Sequence, residues 1–168
     1  MKAIATFIPY NSNISGTVIF SQSKPNSVVK VSIDLKGFDN NEPRAIHIHE
    51  FGDISGGCMT AGGHYNPTNT THGTIYIKGM ERHAGDLCNN IVPNKKKVKY
   101  NFSDNMISLY GTESIIGRTI VIHEGQDDYG LGGIDQDGNI FDKKIHKESL
   151  KTGNAGGRMT CAVIGIKK

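Results

Sequence analysis

The sequence predicts an all-β fold, an antiparallel sandwich or barrel, from three observations. Short segments of alternating apolar and polar residues recur between clusters of Gly, Asn, Asp and Pro. The 168 residues include 21 glycines and no tryptophan, and few runs repeat with heptad-like spacing. A chain of this length can also bury a core of its own without needing a metal or a disulfide to fold, so a single domain over 1–168 is expected.

The alternating segments are, in order, AIATFIP (3–9), SGTVIFSQ (15–22), SVVKVSIDLKG (27–37), RAIHIHEFG (44–52), KVKYNFSD (97–104), MISLYG (106–111), GRTIVIHEG (117–125) and MTCAVIGIK (159–167). In the fourth, His47 and His49 share one face of a strand while Ile46 and Ile48 share the other, because side chains alternate along a strand. Such a strand buries isoleucine and offers two imidazoles on its back. The lysines of NKKKVKY (94–100) read as a solvated turn and an edge strand, where charge discourages pairing with another chain. They can also add to a field that attracts a small anion.

A net charge of +3, spread along the chain, lacks the dense basic face of a nucleic-acid binder. No run of 18 apolar residues is present to span a membrane. The opening MKAIATFIP is too short for a signal-peptide core and meets Pro9 early, which makes a cytoplasmic address the expectation. On that reading the N-x-Ser/Thr triplets at Asn13, Asn69 and Asn101 carry no glycosylation meaning.

Two long segments interrupt the strands, at about 50–90 and about 124–157, and loops of that length in a compact domain are usually functional. In the second, the stretch 134–150 has its own pattern. IDQDGNIF places apolar residues on both sides of Asp137-Gly138, a pair that favours a tight hairpin turn. Asp142 is then expected to cap a short helix through KKIHKESL, with Ile145 and Ser149 on one face.

Of seven histidines, His47 and His49 share a strand, His64, His72 and His83 lie in the first long segment, His123 ends another strand, and His146 stands apart. Asp86 follows His83 closely. Three His and one Asp suit a closed tetrahedral zinc set, and imidazoles from two strands and a loop suit a nitrogen site for copper. Single-zinc hydratases and cupin-type sites also use strand-borne H-x-H, but they need no second His/Asp set.

The motifs HIHEFGD, GHYNP, ERHAGDL, IIGRTIVIHEG and KTGNAGGRMTCAVIGI resemble copper/zinc superoxide dismutase of the cytosolic eukaryotic type over nearly the whole chain. The resemblance implies an eight-stranded Greek-key β-barrel of immunoglobulin-like architecture. It also implies a site outside the barrel, walled by a metal-binding loop and an electrostatic loop. It implies copper at His47, His49, His64 and His123, and zinc at His64, His72, His83 and Asp86, with His64 bridging. Asp127 matches the aspartate that links a copper histidine to a zinc histidine. Arg158 matches the arginine that guides superoxide, and Thr152 the residue that narrows the mouth with it. Cys58 and Cys161 match a disulfide, while Cys88, where the family usually has glycine, is expected to be a buried free thiol. A homodimer is implied, with Phe51, Gly52, Ile116, Gly117, Ile164 and Ile166 in its contact. No proline precedes Cys161 closely, which in the family goes with loading that needs no copper chaperone.

Two departures from the family pattern stand out. His72 and His83 lie two residues further apart than usual, so the zinc loop is expected to bulge at TIYIKG. The second loop is about a dozen residues longer, and Leu131 takes the place of a lysine. Only Lys143, Lys144, Lys147 and Lys151 offer replacement charge, since Asp135, Asp137, Asp142 and Glu148 offset the lysines within 134–150. A different class of function, a dismutase-like metal carrier, decoy or chaperone domain, would be expected to lose copper ligands or the arginine or to add a second domain. This chain retains the histidines, Asp86 and Arg158.

Overall fold

The computed structural model describes residues 1–9 and 12–168, and its strands form one antiparallel sheet curled into a nearly closed barrel. The strands are β1 (Lys2–Phe7), β2 (Ser15–Ser21), β3 (Val29–Lys36), β4 (Arg44–His49), β5 (Asn90–Ile91), β6 (Lys97–Asp104), β7 (Thr119–His123) and β8 (Arg158–Ile166). Their order in space is β5-β4-β7-β8-β1-β2-β3-β6. The chain therefore crosses the barrel from β3 to β4 and again from β6 to β7, a Greek-key path.

Strict alternation closes the core. In β3, Val29, Val31, Ile33 and Leu35 are buried while the lysines, serine and aspartate between them are exposed. They meet Ala3, Ala5, Phe20, Ile46, Ile48, Ile120, Ile122 and Ile164 in one apolar cluster. Among the described residues β6 has β3 as its one partner strand and is an edge strand with exposed Lys97 and Lys99.

The segment 106–111 is not a strand. Ile107 and Leu109 are buried as the alternation requires, but their amides donate to Asp104 Oδ1 (3.0 Å) and Gln22 Oε1 (2.7 Å) instead of to a neighbouring strand. The eighth strand is instead the two-residue β5, whose partner is the start of β4.

β7 and β8 slip relative to one another at the end that carries the histidine. Ile122 faces Thr160, but His123 faces Arg158, so Met159 is an extra residue on β8. This is a β-bulge, a device that re-aims side chains.

The segment 134–150 is ordered by its own turn chemistry. Ile134 and Ile140 bridge across a turn in which Gly138 takes φ 83° and Asp135 Oδ1 accepts from the amides of Asp137 and Asn139. Helix α1 (Lys143–Thr152) follows, capped by Asp142, whose Oδ1 accepts from Lys144 N (2.9 Å) and Ile145 N (3.0 Å). Ile145 does not share the inward face. It remains 43% exposed, and Ser149 is the side chain turned inwards. Ser149 Oγ donates to Asp128 Oδ1 (2.6 Å) and accepts from Gly132 N (2.9 Å), clamping the helix to the loop. Ser149→Ala is expected to lower stability by about 1.5–3 kcal/mol, the worth of a hydrogen bond to a charged group. Chemical denaturation measures the loss, and faster amide exchange confined to 128–153 locates it.

Cys58 and Cys161 form a disulfide that joins the first long loop to β8 across a sequence separation of 103. In the chain-entropy account, closing a loop of that size is worth up to about 4.7 kcal/mol. Cys88 is the free cysteine among the described residues, and burial pushes its thiol up to about 12.

Candidate metal centre

β4 builds the first half of the site. Its isoleucines enter the core, which leaves His47 and His49 outside the barrel. Both are nonetheless buried, at 0% and 1% exposure, because the long loops cover them. Gly85 lets the first loop lie directly against the strand. A Cβ there would stand 2.2 Å from the Ile48 carbonyl, and the Ile48 amide donates to Gly85 O at 2.9 Å.

Backbone carbonyls accept only, and this settles which ring nitrogens carry protons. His49 Nδ1 donates to Gly62 O (3.0 Å) and His123 Nδ1 to Gly156 O (3.3 Å). Their Nε2 atoms, 3.3 Å apart, are left with lone pairs that face one region. His47 Nε2 is held by Asp127 Oδ2 (2.6 Å), which leaves its buried Nδ1 without a partner. Burial and the neighbouring His64 lower His47 to about 3, His49 to about 2 and His123 to about 4, so all three are neutral near pH 7. Each of His47, His49, His64 and His123 offers a nitrogen within 4.8 Å of the others.

The second group forms around Asp86. Its Oδ1 lies 2.8 Å from His64 Nδ1, 3.0 Å from His72 Nδ1 and 3.2 Å from His83 Nδ1. His64 Nδ1 and His83 Nδ1 are 3.4 Å apart. The buried His72 Nδ1 is close to Asp86 yet makes no aligned hydrogen bond. Two atoms that near without a bond between them are placed as ligands of one cation would be. Donors about 2.0–2.1 Å from a shared tetrahedral zinc stand roughly 3.3 Å apart, so the spacing fits the ion.

His47 also comes within 4.8 Å of His64, His72 and Asp86. His83 is the better fourth member, because its Nδ1 touches Asp86, whereas the four-imidazole group already accounts for His47.

Asp127 joins the two groups. One oxygen holds His47 and the other holds His72 Nε2 at 3.0 Å. Burial would raise its pKa, but the two imidazoles hold the carboxyl well below its usual range. For His72, burial lowers the pKa, yet the hydrogen bond with Asp127 and the closeness of the Asp86 carboxylate outweigh it and raise the value to about 9. Gly153 ends helix α1 at φ 65° directly above this contact, where a Cβ would stand 2.5 Å from His72 Nε2 and 2.7 Å from the Asp127 carboxylate.

Three supporting residues gave no signal in the sequence. Asn89 Nδ2 donates to Asp127 Oδ2 (3.1 Å), and Asn90 exchanges bonds with the Asp127 backbone. Arg82 Nη1 donates to Asp86 O (2.9 Å) while its Nη2 pairs with the buried Asp104 at 2.7 Å. His146 is apart from both groups, its Nδ1 donating to Gly132 O (3.0 Å). The longer His72–His83 spacing is absorbed in exposed turns at 75–79.

A cavity of about 590 Å³ opens onto this cluster, and its walls include His49, His64, His123, Lys151, Thr152 and Arg158. Arg158 Nη1 donates to Cys58 O (2.7 Å) and Nη2 to Gly62 O (2.6 Å), so the guanidinium is fixed by backbone, with no carboxylate against it.

Residues 14–164 match the family model described as copper/zinc superoxide dismutase. The chain is 49% identical to Superoxide dismutase [Cu-Zn] of Schizosaccharomyces pombe over 93% of this chain and 92% of that one. It is 44% identical to the protein of the same name from Neurospora crassa, over 100% and 99% of the two chains. Among solved structures, the crystal structure of the clock protein EA4 is similar at a TM-score of 0.82 and 38% identity, over 99% of this chain and 94% of that one.

Proposed function

The chain belongs to the copper/zinc superoxide dismutase family, whose activity is the disproportionation of superoxide, and we propose that its two histidine groups divide the metals between them. His47, His49, His64 and His123 hold copper, and His64, His72, His83 and Asp86 hold zinc. The observation that carries this is the pair of orphaned nitrogens, His47 Nδ1 and His72 Nδ1, buried without partners inside the histidine cluster. Metal content per subunit, measured by mass spectrometry beside a superoxide assay, tests it: one copper and one zinc are expected.

Two superoxide anions and two protons give dioxygen and hydrogen peroxide. Copper, when bound, supplies the one-electron redox chemistry, and zinc supplies none. Arg158 binds and orients each anion at the cavity wall through its charge and its planar fork of N–H donors. Thr152 narrows the approach beside it. In this reading His64 would hold one of the two protons on Nε2 and release it to the departing peroxide. Asp127 fixes the rings of His47 and His72, and such outer contacts are worth 10- to 100-fold in metal affinity as a rule.

The whole chain acts as one dismutase domain, with the metal-binding loop at about 50–90 and the electrostatic loop at about 124–157. Among the described residues no helix is long and apolar enough to cross a membrane. A cytoplasmic address is proposed from the resemblance of its motifs to the cytosolic eukaryotic type.

A homodimer would cover Phe51 and Ile166, which are 52% and 72% exposed. Ile164 takes no part in such a contact, because β8 turns it into the core at 0% exposure and presents Val163 instead. Sedimentation at micromolar concentration should show the dimer.

Loading without a dedicated copper chaperone is expected as well. Expression in cells lacking the chaperone should yield active protein with the Cys58–Cys161 bond formed, and a reduced, inactive product would refute this.

The loop lysines divide into two groups. Lys151 lines the cavity, whereas Lys143, Lys144 and Lys147 are exposed on α1 away from its wall. Changing those three to glutamine should lower the rate about twofold at low salt and flatten its ionic-strength dependence, the mark of a screened field. An unchanged salt slope would leave steering to Lys151 and Arg158.

A further inference from the structure

The turn between Gly57 and Ala61 carries Met59, a large apolar side chain that is 70% exposed and has no place in the core cluster. It is not at an arbitrary point of the surface. Met59 lines the same cavity as His49, His64 and His123, the ring nitrogens through which copper would be reached. Its carbonyl accepts from Arg158 Nη1 at 3.4 Å, next to the stronger bond at Cys58 O, so the backbone that presents it is held at the cavity rim. Behind those histidines lies the fully buried, unpartnered Nδ1 of His47. A thioether is a soft donor that prefers copper(I) over zinc or the hard cations. Being neutral, it can hold a cation near the Arg158 guanidinium without needing deprotonation. Flexible and exposed, it can also release that cation inwards.

We propose that Met59 is an entry ligand for copper(I), catching the ion at the rim and passing it to His49 and His123. The inference rests on the copper assignment made above. Once copper is held by nitrogen inside, Met59 takes no further part, so its effect is on the rate of loading and not on the final content.

The other methionines supply controls. Met1 and Met106 are 45% and 39% exposed but line no wall of this cavity. Zinc-loaded, copper-free protein is given copper(I) buffered with glutathione, and copper content is followed in time by mass spectrometry. Met59→Leu, which keeps the apolar bulk and removes the sulfur, should load about fivefold more slowly, the effect of roughly 1 kcal/mol in a barrier. Its end point should equal that of the parent, and Met106→Leu should load normally. In a parallel experiment, silver(I), a soft and redox-silent stand-in, is titrated below one equivalent while the methionine methyl groups are watched by NMR. The Met59 methyl should shift first, with Met1 and Met106 unmoved. Equal loading rates for parent and Met59→Leu, or a Met59 methyl that does not respond, would overturn the proposal and leave the copper assignment standing. A parent that takes up no copper at all would overturn both.

Discussion

His64→Ala is expected to leave a folded protein that removes no measurable superoxide and is deficient in both metals. The reason is the ring's position. His64 Nδ1 lies 2.8 Å from Asp86 Oδ1, inside the group assigned to zinc, while its ring centroid is 4.1 Å from that of His47 and 5.1 Å from that of His49, inside the group assigned to copper. One imidazole thus belongs to two donor sets, and two adjacent dications favour its doubly deprotonated, bridging form. Every other proposed histidine serves a single set. Mass spectrometry of metals per subunit tells the two arrangements apart, since loss of only one metal would mean that His64 is an ordinary ligand. His146→Ala is the matching control. That ring contacts Gly132 O, outside both groups, and its removal should leave both metals in place. A normal zinc load with normal activity in His64→Ala would refute the bridge.

Arg158→Ala should lower the second-order rate with superoxide by about tenfold or more, since a charge-assisted contact is worth roughly 1.5–3 kcal/mol. Superoxide dismutases as a class work near the diffusional ceiling, so a lost contact at the mouth is felt directly in the rate. Copper content should hardly change, because the guanidinium bonds backbone carbonyls rather than any of the metal-facing nitrogens. Arg158→Lys separates two contributions. If charge alone guides the anion, lysine recovers most of the rate; if the planar fork matters, the recovery is partial. Full activity in the alanine variant would remove Arg158 from the mechanism.

How much of this was legible in the sequence follows from what each signal reports. The alternation of His47 and His49 with Ile46 and Ile48 could be read in advance, because strand geometry leaves one side for the core and the other for the site. The cap at Asp142 was equally local, a side chain bonding amides two and three residues on. The Cys58–Cys161 bond came from resemblance alone, since three cysteines permit several pairings or none. MISLYG misled because periodicity reports burial and not backbone pairing. Ile107 and Leu109 are buried as expected, yet side chains of Asp104 and Gln22 take the place of a neighbouring strand. The helix at 143–152 was legible too, but which of its side chains is covered was not, since that depends on Asp128 and Gly132, distant in the chain, which meet Ser149. Asn89, Asn90 and Gly153 were invisible because their importance lies in a long-range meeting with Asp127.

The extra residue in β8 gives the site a narrow genetic tolerance. Met159 is looped out of the ladder so that Arg158 stands opposite His123; were the bulge to slip out with Met159 taking the place facing His123, the ladder would become regular. That slip would move the arginine on by one rung, to the face that Thr160 shares and towards the barrel interior, where a lone guanidinium is ruinous. Most substitutions along this strand can be absorbed by repacking, but a slip of its pairing by one residue cannot. Lineages of this gene should therefore vary freely in the length of the loop at 134–150 and hold the pairing of His123 with Arg158 constant, and designers who transplant the centre to another barrel must carry that register along with the ligands.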